Sequence, residues 1–589
     1  MGLSRRDFVK KMGAGTVLTG LSGMAGSVPV KAQTAAAGTS IPLPKELEAQ
    51  LQQRLEAPLF ARSAGSGLRV CAEGDTNTDP LTAETVQVAP NLEPVIPHPD
   101  QGAEAQAKLA ALAQKTGKKP NILVFVMDDV GWGDPGCYGG GVMAGAPTPN
   151  MDRLAKEGLQ LISCYSQPTC SPSRATLLTG RLPIRHGILR PTAAGEQGGL
   201  QNEMTLAQLL GQAGYVTQAV GKWHLGENEA SQPHHVGFDD FYGFLGVSED
   251  YTEWRDSYFN PDITLNPDRT AMVEAMAFNR NLVHARKGGT IENLEEITIP
   301  VCAELDGKWA AYSADFITSM AKSDRPFFLY HCTRGAHFDN YANPSFAGKS
   351  PAKYPYKDVI VELDDILGRL VQALDDTGQL ENTLIFVTSD NGPQIEIWPD
   401  TGYTPFRCGK WSTWEGGVRV PGIVYWKNMI SPGQVSNGLF DFADFFPTSL
   451  ALAGAWNLVP GDRYIDGVDQ TSFLLADAGL SNRKFVYYWL GATFSGVRAA
   501  EYKFVAAGIS GDDGDTVNPG GWTSLETYPQ GKLFNLYLDP KERYSFFDRQ
   551  TFLDNLFSDP LNAHVATFQE YPGKKATVQA KIQQLFQGR

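Results

Sequence analysis

Between Asn121 and Trp426 the chain repeats one pattern: a short, continuously apolar run, closed by polar residues and followed by a helical stretch. The apolar runs are Ile122 to Met127, Val216 to Val220, Pro326 to Tyr330, Leu384 to Thr388 and Val418 to Trp426. Helical spacing falls on Pro149 to Glu157, Leu206 to Ala213, Val359 to Asp375 and Phe445 to Ala453. Strands that lack hydrophobic alternation are buried on both faces, so the pattern predicts an α/β fold with a large sheet sandwiched by helices. Sheets of this kind bind ligands beyond the carboxyl ends of their strands, where the polar residues closing each run must lie.

A chain of 589 residues exceeds a single ordinary domain. Residues 33–118 form an N-terminal extension rich in Ala, Gln, Pro and Glu, with helical spacing at Leu47, Leu51 and Leu55 and again from Glu104 to Gln114. No chemistry attaches to it; a wrap over the main domain or a cover for its cleft are the two expectations. Residues 119–461 hold the strand and helix repeat. After about Asp462 helices thin out, and strand-like runs at Lys484 to Leu490 and Arg498 to Val505 predict a smaller C-terminal α+β domain over 462–589. Val578, Ile582, Leu585 and Phe586 predict a terminal docking helix.

The first residues, Ser4-Arg5-Arg6-Asp7-Phe8-Val9-Lys10, precede a weakly apolar, Gly-rich stretch and the small-residue exit Val30-Lys31-Ala32. This predicts a twin-arginine signal over residues 1–32, the twin-arginine export machinery as a partner, and a periplasmic or secreted product. No other run approaches the ~20 apolar residues of a membrane span. The formal charge of −15 argues against nucleic acid or an anionic membrane as partner, while leaving room for a local anion pocket. An oxidising compartment permits disulfides among the seven cysteines, and spacing does not pair them.

The densest chemistry lies in Cys170-Ser171-Pro172-Ser173-Arg174-Ala175-Thr176-Leu177-Leu178-Thr179-Gly180-Arg181. Ser171 is the expected N-cap, Pro172 suits the first helical position and Gly180 the stop. Cys170 is then expected just before a helix, where free N–H groups and the dipole favour an anion, with Arg174 adding a permanent charge. Asp128-Asp129 follows the first apolar run and Ser389-Asp390-Asn391-Gly392 follows another. If those strands are neighbours, three carboxylates and an amide converge, which requires a cation. Oxygen-only ligands select a hard ion, Ca2+ first and Mg2+ or Mn2+ second.

These stretches resemble the signatures of the type I sulfatases, in which the motif cysteine is oxidised to formylglycine. The likeness extends to Gly221-Lys222-Trp223-His224, to Gly409-Lys410 followed by Trp414-Glu415-Gly416-Gly417, and to Leu533 through Glu542. It covers about Asn121 to Glu542 and implies an alkaline phosphatase-like mixed sheet and a catalytic domain over 119–461. It also implies a formylglycine made from Cys170 by a maturation enzyme, and a small sulfated substrate. Asp128, Asp129, Asp390 and Asn391 would hold the metal. Lys222 would contact the sulfate and His224 would serve as the base on the formylglycine hydroxyl, with both side chains expected to point one way from an extended segment. His337 stands where many sulfatases carry Pro-His, although Ala336 precedes it here; with Lys410 it would protonate the leaving alcohol. His331 is the expected packed decoy. Glu415 and Arg419 are expected to brace the Lys410 loop. Tyr251, Trp254, Trp398, Trp489 and Trp522 are the aromatic candidates for lining an aryl or sugar pocket.

The resemblance implies hydrolysis of an aryl, alkyl or carbohydrate sulfate. Two alternatives stand beside it: a formylglycine-dependent phosphodiester or phosphonate monoester hydrolase, and a non-catalytic periplasmic anion-binding protein.

Overall fold

The computed structural model describes residues 79–509, 525–575, 577 and 578. The chain divides into two units, Met1–Val70 and Cys71–Arg589, and every described residue belongs to the second. The expected export signal, the Leu47 to Leu55 spacing, Trp522 and all but Val578 of the expected terminal helix lie outside the described residues.

Eleven strands form one mixed sheet. In chain order they are β1 (Asn121–Met127), β2 (Leu159–Tyr165), β3 (Val216–Lys222), β4 (Asp240–Phe244), β5 (Asn281–Arg286), β6 (Glu292–Glu296), β7 (Phe327–Cys332), β8 (Thr383–Ser389), β9 (Arg419–Tyr425), β10 (Gln434–Ser436) and β11 (Phe440–Asp441). Their order across the sheet is β10-β2-β9-β8-β1-β7-β3-β4-β5-β6, with β11 also on β2. The centre, β8-β1-β7-β3-β4, is parallel. β9 runs antiparallel to β8, and β2 antiparallel to β9.

Helices α1 (Pro99–Thr116), α2 (Pro149–Glu157), α3 (Cys170–Thr179), α4 (Leu206–Gln212), α5 (Leu305–Met320), α6 (Pro355–Asp376), α7 (Phe445–Leu452) and α8 (Asp554–Glu570) surround the strands. Strand β1 shows why its run is apolar throughout. Ile122, Val124 and Val126 enter one core with Leu177, Leu210 and Phe446 from α3, α4 and α7. Leu123, Phe125 and Met127 enter the opposite core with Leu154, Trp309 and Leu363 from α2, α5 and α6. Both sets are removed from water, so no alternation survives. Helix α2 takes its cap from α6 rather than from Thr148: Asp364 accepts the N–H groups of Asn150 and Met151 at 3.0 and 2.8 Å.

A second, antiparallel sheet follows, in the order β12 (Phe485–Leu490), β13 (Thr493–Ala499), β14 (Tyr502–Ile509) and β15 (Leu525–Asn535). The expected single run from Arg498 to Val505 is therefore two strands. No Gly or Pro marks the break; Ala500 turns the chain at φ 47° instead. Helix α8 covers this sheet through Phe557, which packs with Tyr487, Val497 and Leu533.

Residues 79–116 wrap the body. Glu93 donates its N–H to Ile465 and Ile96 donates to Asn482, while Lys108 Nζ reaches the Leu475 carbonyl at 2.6 Å. Glu93 is buried there near Asp466 and His564, their ligand atoms within 4.8 Å of one another. Arg185 already answers that charge, its Nε 2.8 Å from Asp466, with its guanidinium held between the rings of Tyr464 and Phe568. Among the described residues, no helix is long and apolar enough to cross a membrane. Cys137, Cys164, Cys170, Cys302, Cys332 and Cys408 are all free thiols.

Candidate active site

The sheet topology gathers six chain segments at one edge. Parallel β1, β8, β3 and β7 end together and release Asp128-Asp129, Asp390-Asn391, Lys222 with His224, and the loop to His337. Because β9 is antiparallel to β8, the loop carrying Lys410 enters from the same edge. Because β2 is antiparallel to β9, with Tyr165 opposite Arg419, the chain leaving β2 reaches Cys170 there as well.

Helix α3 begins two residues earlier than expected. Thr169, extended at φ −151° and ψ 164°, is the N-cap, Cys170 is the first helical residue, and Gly180 closes the helix at φ 68°. Ser171 is not a cap. Its hydroxyl donates to the His224 carbonyl at 2.6 Å and accepts the Thr192 N–H at 3.1 Å, fastening the helix start to the loop after β3. Cys170 is 1% exposed, and burial pushes its thiol up to about 11 against the opposing pull of Lys222 and Lys410.

Three carboxylates and three cations pair off around it. Lys222 Nζ donates to Asp128 Oδ2 at 2.6 Å, Lys410 Nζ to Asp129 Oδ2 at 2.9 Å, and Arg174 Nε to Asp390 Oδ2 at 2.9 Å. Burial works against the Lys222 and Lys410 ammonium groups, but Asp128 and Asp129 respectively hold each above the usual lysine value. Burial raises Asp390, as does the neighbouring Asp128 charge, against the pull of Arg174.

The oxygen donors fit a divalent cation. Asp128 Oδ1 and Asn391 Oδ1 are buried without a hydrogen-bond partner, a costly state that a cation relieves. Asn391 Nδ2 donates to Asp129 Oδ1 at 2.5 Å, leaving its carbonyl oxygen free. Ligand atoms of Asp128, Asp129 and His337 lie within 4.8 Å of one another, so His337 stands closer to this donor set than its sequence position suggested.

The two site histidines differ in which nitrogen is held. His224 Nε2 lies 3.0 Å from the Thr192 carbonyl, which can only accept, so Nε2 carries the proton. Its Nδ1 is buried with no partner and presents a lone pair. The extended segment expected to carry both Lys222 and His224 ends at Lys222, and His224 has a φ of 54°. His337 donates from Nδ1 to the Phe338 carbonyl at 2.5 Å, and its Nε2 lies 3.0 Å from Lys410 Nζ. Burial lowers both histidines well below the usual range, helped by Lys222 at His224 and by Lys410 at His337. Asp306 fixes the His337 loop by accepting the N–H groups of Arg334 and Gly335 at 2.7 and 3.1 Å. His331 is packed as expected, bonded to Ser313 at 2.8 Å and stacked on Phe125.

The second sheet braces the Lys410 loop. Trp411 donates its N–H to Pro168 at 2.8 Å, joining this loop to the segment before Cys170. Buried Glu415 accepts from Tyr165 at 2.7 Å and from Lys503 of β14 at 3.0 Å, and Arg419 lies 3.4 Å away. Of the aromatic candidates, Tyr251 and Trp254 are buried and Trp489 packs on Phe494 and Phe568, whereas Trp398 is 70% exposed. Thr192, Lys503 and Glu249 belong to this assembly and were not legible, nor was the role of Ser171 in tying the helix to the His224 loop. Glu249 sits in the acidic run Glu249-Asp250 with nothing local to single it out.

A family model described as Sulfatase matches residues 120–455. The chain is 34% identical over 487 residues to N-acetylgalactosamine-6-sulfatase of Rattus norvegicus, covering 79% of this chain and 87% of the relative. It is 35% identical over 465 residues to arylsulfatase A of Homo sapiens, covering 75% and 87%. The crystal structure of the PsFucS1 sulfatase from Pseudoalteromonas sp. superposes with a TM-score of 0.81 at 44% identity, covering 84% of this chain and 99% of that one.

Proposed function

The chain belongs to the sulfatase family and hydrolyses sulfate monoesters, and on that footing we propose that residue 170 works as a formylglycine beside a divalent cation. The observation that carries this is the buried set Asp128–Lys222, Asp129–Lys410 and Asp390–Arg174 packed around Cys170 at the start of α3. Conversion of the Cys170 thiol would supply a hydroxyl nucleophile that a buried, protonated thiol does not offer. Asp128, Asp129, Asp390 and Asn391 would hold the cation, Ca2+ in preference to Mg2+ or Mn2+, and when bound it would supply charge neutralisation for the sulfate oxygens and would acidify the hydroxyl of residue 170.

Arg174, Lys222 and Lys410 surround residue 170 with fixed positive charge, so a sulfate group is oriented and its developing charge is met without rearrangement. Lys410 and His337 share one hydrogen bond, and that pair hands a proton to the departing alcohol oxygen. His224, with Nδ1 unprotonated and Nε2 anchored on Thr192, accepts a proton when the enzyme returns to its starting state. The buried position of the cluster keeps bulk water from competing.

The same proposal takes residues 1–32 as a twin-arginine signal, residues 33–118 as the extension, 119–461 as the catalytic domain and 462–589 as the smaller domain. It also takes export to the periplasm or beyond and a dedicated maturation enzyme for Cys170. Three measurements test it together: the mass of the Cys170 peptide, the metal content of the purified protein, and parallel rates on para-nitrophenyl sulfate and on phosphate and phosphonate esters. An unaltered thiol in active enzyme overturns the formylglycine assignment, and faster turnover of the phosphorus esters favours the hydrolase alternative.

A further inference from the structure

Several groups compete for one nitrogen of His337. Its Nε2 faces Lys410 Nζ at 3.0 Å, Glu249 Oε2 at 3.5 Å and Asp129 Oδ2 at 3.6 Å, so a small swing of the ring changes which of them it meets. Strand β7 ends at Cys332, and residues 333–341 are loop. The start of that loop is fastened to the end of β1: Ala336 donates its N–H to the Asp128 carbonyl at 2.8 Å, and the Asp128 N–H reaches the Gly335 carbonyl at 3.2 Å. The part beyond His337 is held from inside by Arg334. Its Nη1 donates to the Asp339 carbonyl at 3.1 Å and its Nη2 to the Tyr341 carbonyl at 3.0 Å, so the residue that opens the loop also closes it. Asn340 adds a crossing bond from Nδ2 to the Ala336 carbonyl at 3.2 Å. Arg334 is 1% exposed, and Asp306 of α5 balances its charge with Oδ2 3.6 Å from Nε. A rigid fork that meets two carbonyls at once is a property of arginine that lysine lacks. Burying a guanidinium is costly, and what this one secures is the backbone on both sides of a proton donor.

We propose that Arg334 is a positioning residue: by closing the loop around its own guanidinium it holds His337 Nε2 on Lys410, and so sets how well the departing alcohol is protonated. This rests on the role given to the Lys410 and His337 pair in the proposed function. In that step the ester S–O bond breaks, its electron pair stays on the alcohol oxygen, and that oxygen takes a proton from the pair. Such a transfer needs donor and acceptor within hydrogen-bond reach, and a misplacement of about 1 Å costs about 10²-fold. Leaving groups differ in how much they need the proton. Para-nitrophenol departs readily as an anion, whereas phenol, which like tyrosine holds its proton to about pH 10, does not. A loosened His337 therefore harms phenyl sulfate more than para-nitrophenyl sulfate, while a general loss of folding or of metal harms both alike.

The test compares kcat/KM of wild type, Arg334→Lys, His337→Ala and the double variant on these two esters at one pH. Arg334→Lys is expected to lose about ten-fold or more on phenyl sulfate beyond its loss on para-nitrophenyl sulfate, in the direction that His337→Ala shows more strongly. The double variant is expected to separate the two esters no further than His337→Ala alone, because Arg334 acts through that ring. Equal losses on both esters in Arg334→Lys, beside a clear difference in His337→Ala, overturn the proposal. So does a further difference in the double variant, since Arg334 would then act elsewhere. If Arg334→Lys fails to fold, Asn340→Ala decides in the same way: it removes the crossing bond to Ala336 without leaving a buried charge unmatched, and equal losses there overturn the proposal. If His337→Ala itself treats the two esters alike, the role of His337 in the proposed function fails and the proposal with it, so the two failures are distinguishable.

Discussion

Glu542 accepts the backbone N–H of Glu415 at 2.8 Å, and Lys503 bridges the two carboxylates at 2.9 and 3.0 Å. The segment after the second sheet thereby fixes the loop that delivers Lys410 to Asp129. The charges are balanced only as a set, since Arg498 and Arg419 also face Glu415 at 3.6 and 3.4 Å. Removing one member leaves buried carboxylates facing each other. Lys503→Met is expected to cost about 3–5 kcal/mol in denaturant unfolding. It should also lower kcat/KM, although Lys503 lies outside the cluster around Cys170. Unchanged stability would show that the brace is ornamental.

Removal of divalent ions should abolish turnover, and Ca2+ should restore it more completely than Mg2+. Asp128→Asn should lower kcat/KM by about 10²–10³, the range found when one preorganised electrostatic partner is lost. Because Lys222 loses its partner at the same time, the variant should also bind the metal less tightly, which calorimetric titration reads directly. Full activity after exhaustive chelation contradicts the assignment of these carboxylates.

His224→Ala should reduce steady-state turnover by about 10²–10⁴, the span of general acid–base contributions. The first equivalent of alcohol should still appear quickly, because Lys410 and His337 remain. Thr192 is held by Ser171 and holds His224 in turn, so Ser171→Ala should show a milder version of the same defect. Rapid-quench measurement of the first turnover separates the two phases. Loss of the rapid phase along with the slow one assigns His224 elsewhere.

Stability should fall as pH rises from about 4.5 to 7, in part through one residue of the N-terminal wrap. Burial raises Glu93 to about 7, with Asp466 adding to the effect and Arg483 opposing it. A carboxyl with a raised folded value keeps its proton in the folded state while the unfolded chain has released it. Its contribution is complete below the unfolded value and is lost as pH passes the folded one. The shift corresponds to about 3 kcal/mol. Glu93→Gln keeps an acceptor for the Tyr464 hydroxyl, so it should flatten the decline between pH 5 and 8 in thermal unfolding. A decline identical to wild type removes Glu93 from the account.

The central strands were legible because burial on both faces leaves an unbroken apolar run, and β1 and β8 are indeed neighbours, with Met127 opposite Ser389. Strand β2 was not, although it delivers Cys170, since Gln160, Ser163 and Cys164 interrupt its apolar sequence. The local motif around Cys170 misled on capping because Ser171 spends its hydroxyl on a carbonyl 53 residues away, a partner that only the fold supplies. Helix α8 was missed for a related reason: its apolar side is shared among Phe557, Leu561 and Phe568, with Pro560 inside the helix. His337 could be preferred over His331 because one stands outside a strand and the other within it. Glu249 had no such marker.

Every residue of α3, from Cys170 to Thr179, is withdrawn from solvent. If residue 170 is converted as proposed, a modifying enzyme would have to reach a side chain that is 1% exposed once β2, β9 and the Trp411 segment are in place. On the proposed function, alteration of that thiol would fall most readily in a window during biosynthesis, while the junction between β2 and α3 is still an open strand of polypeptide.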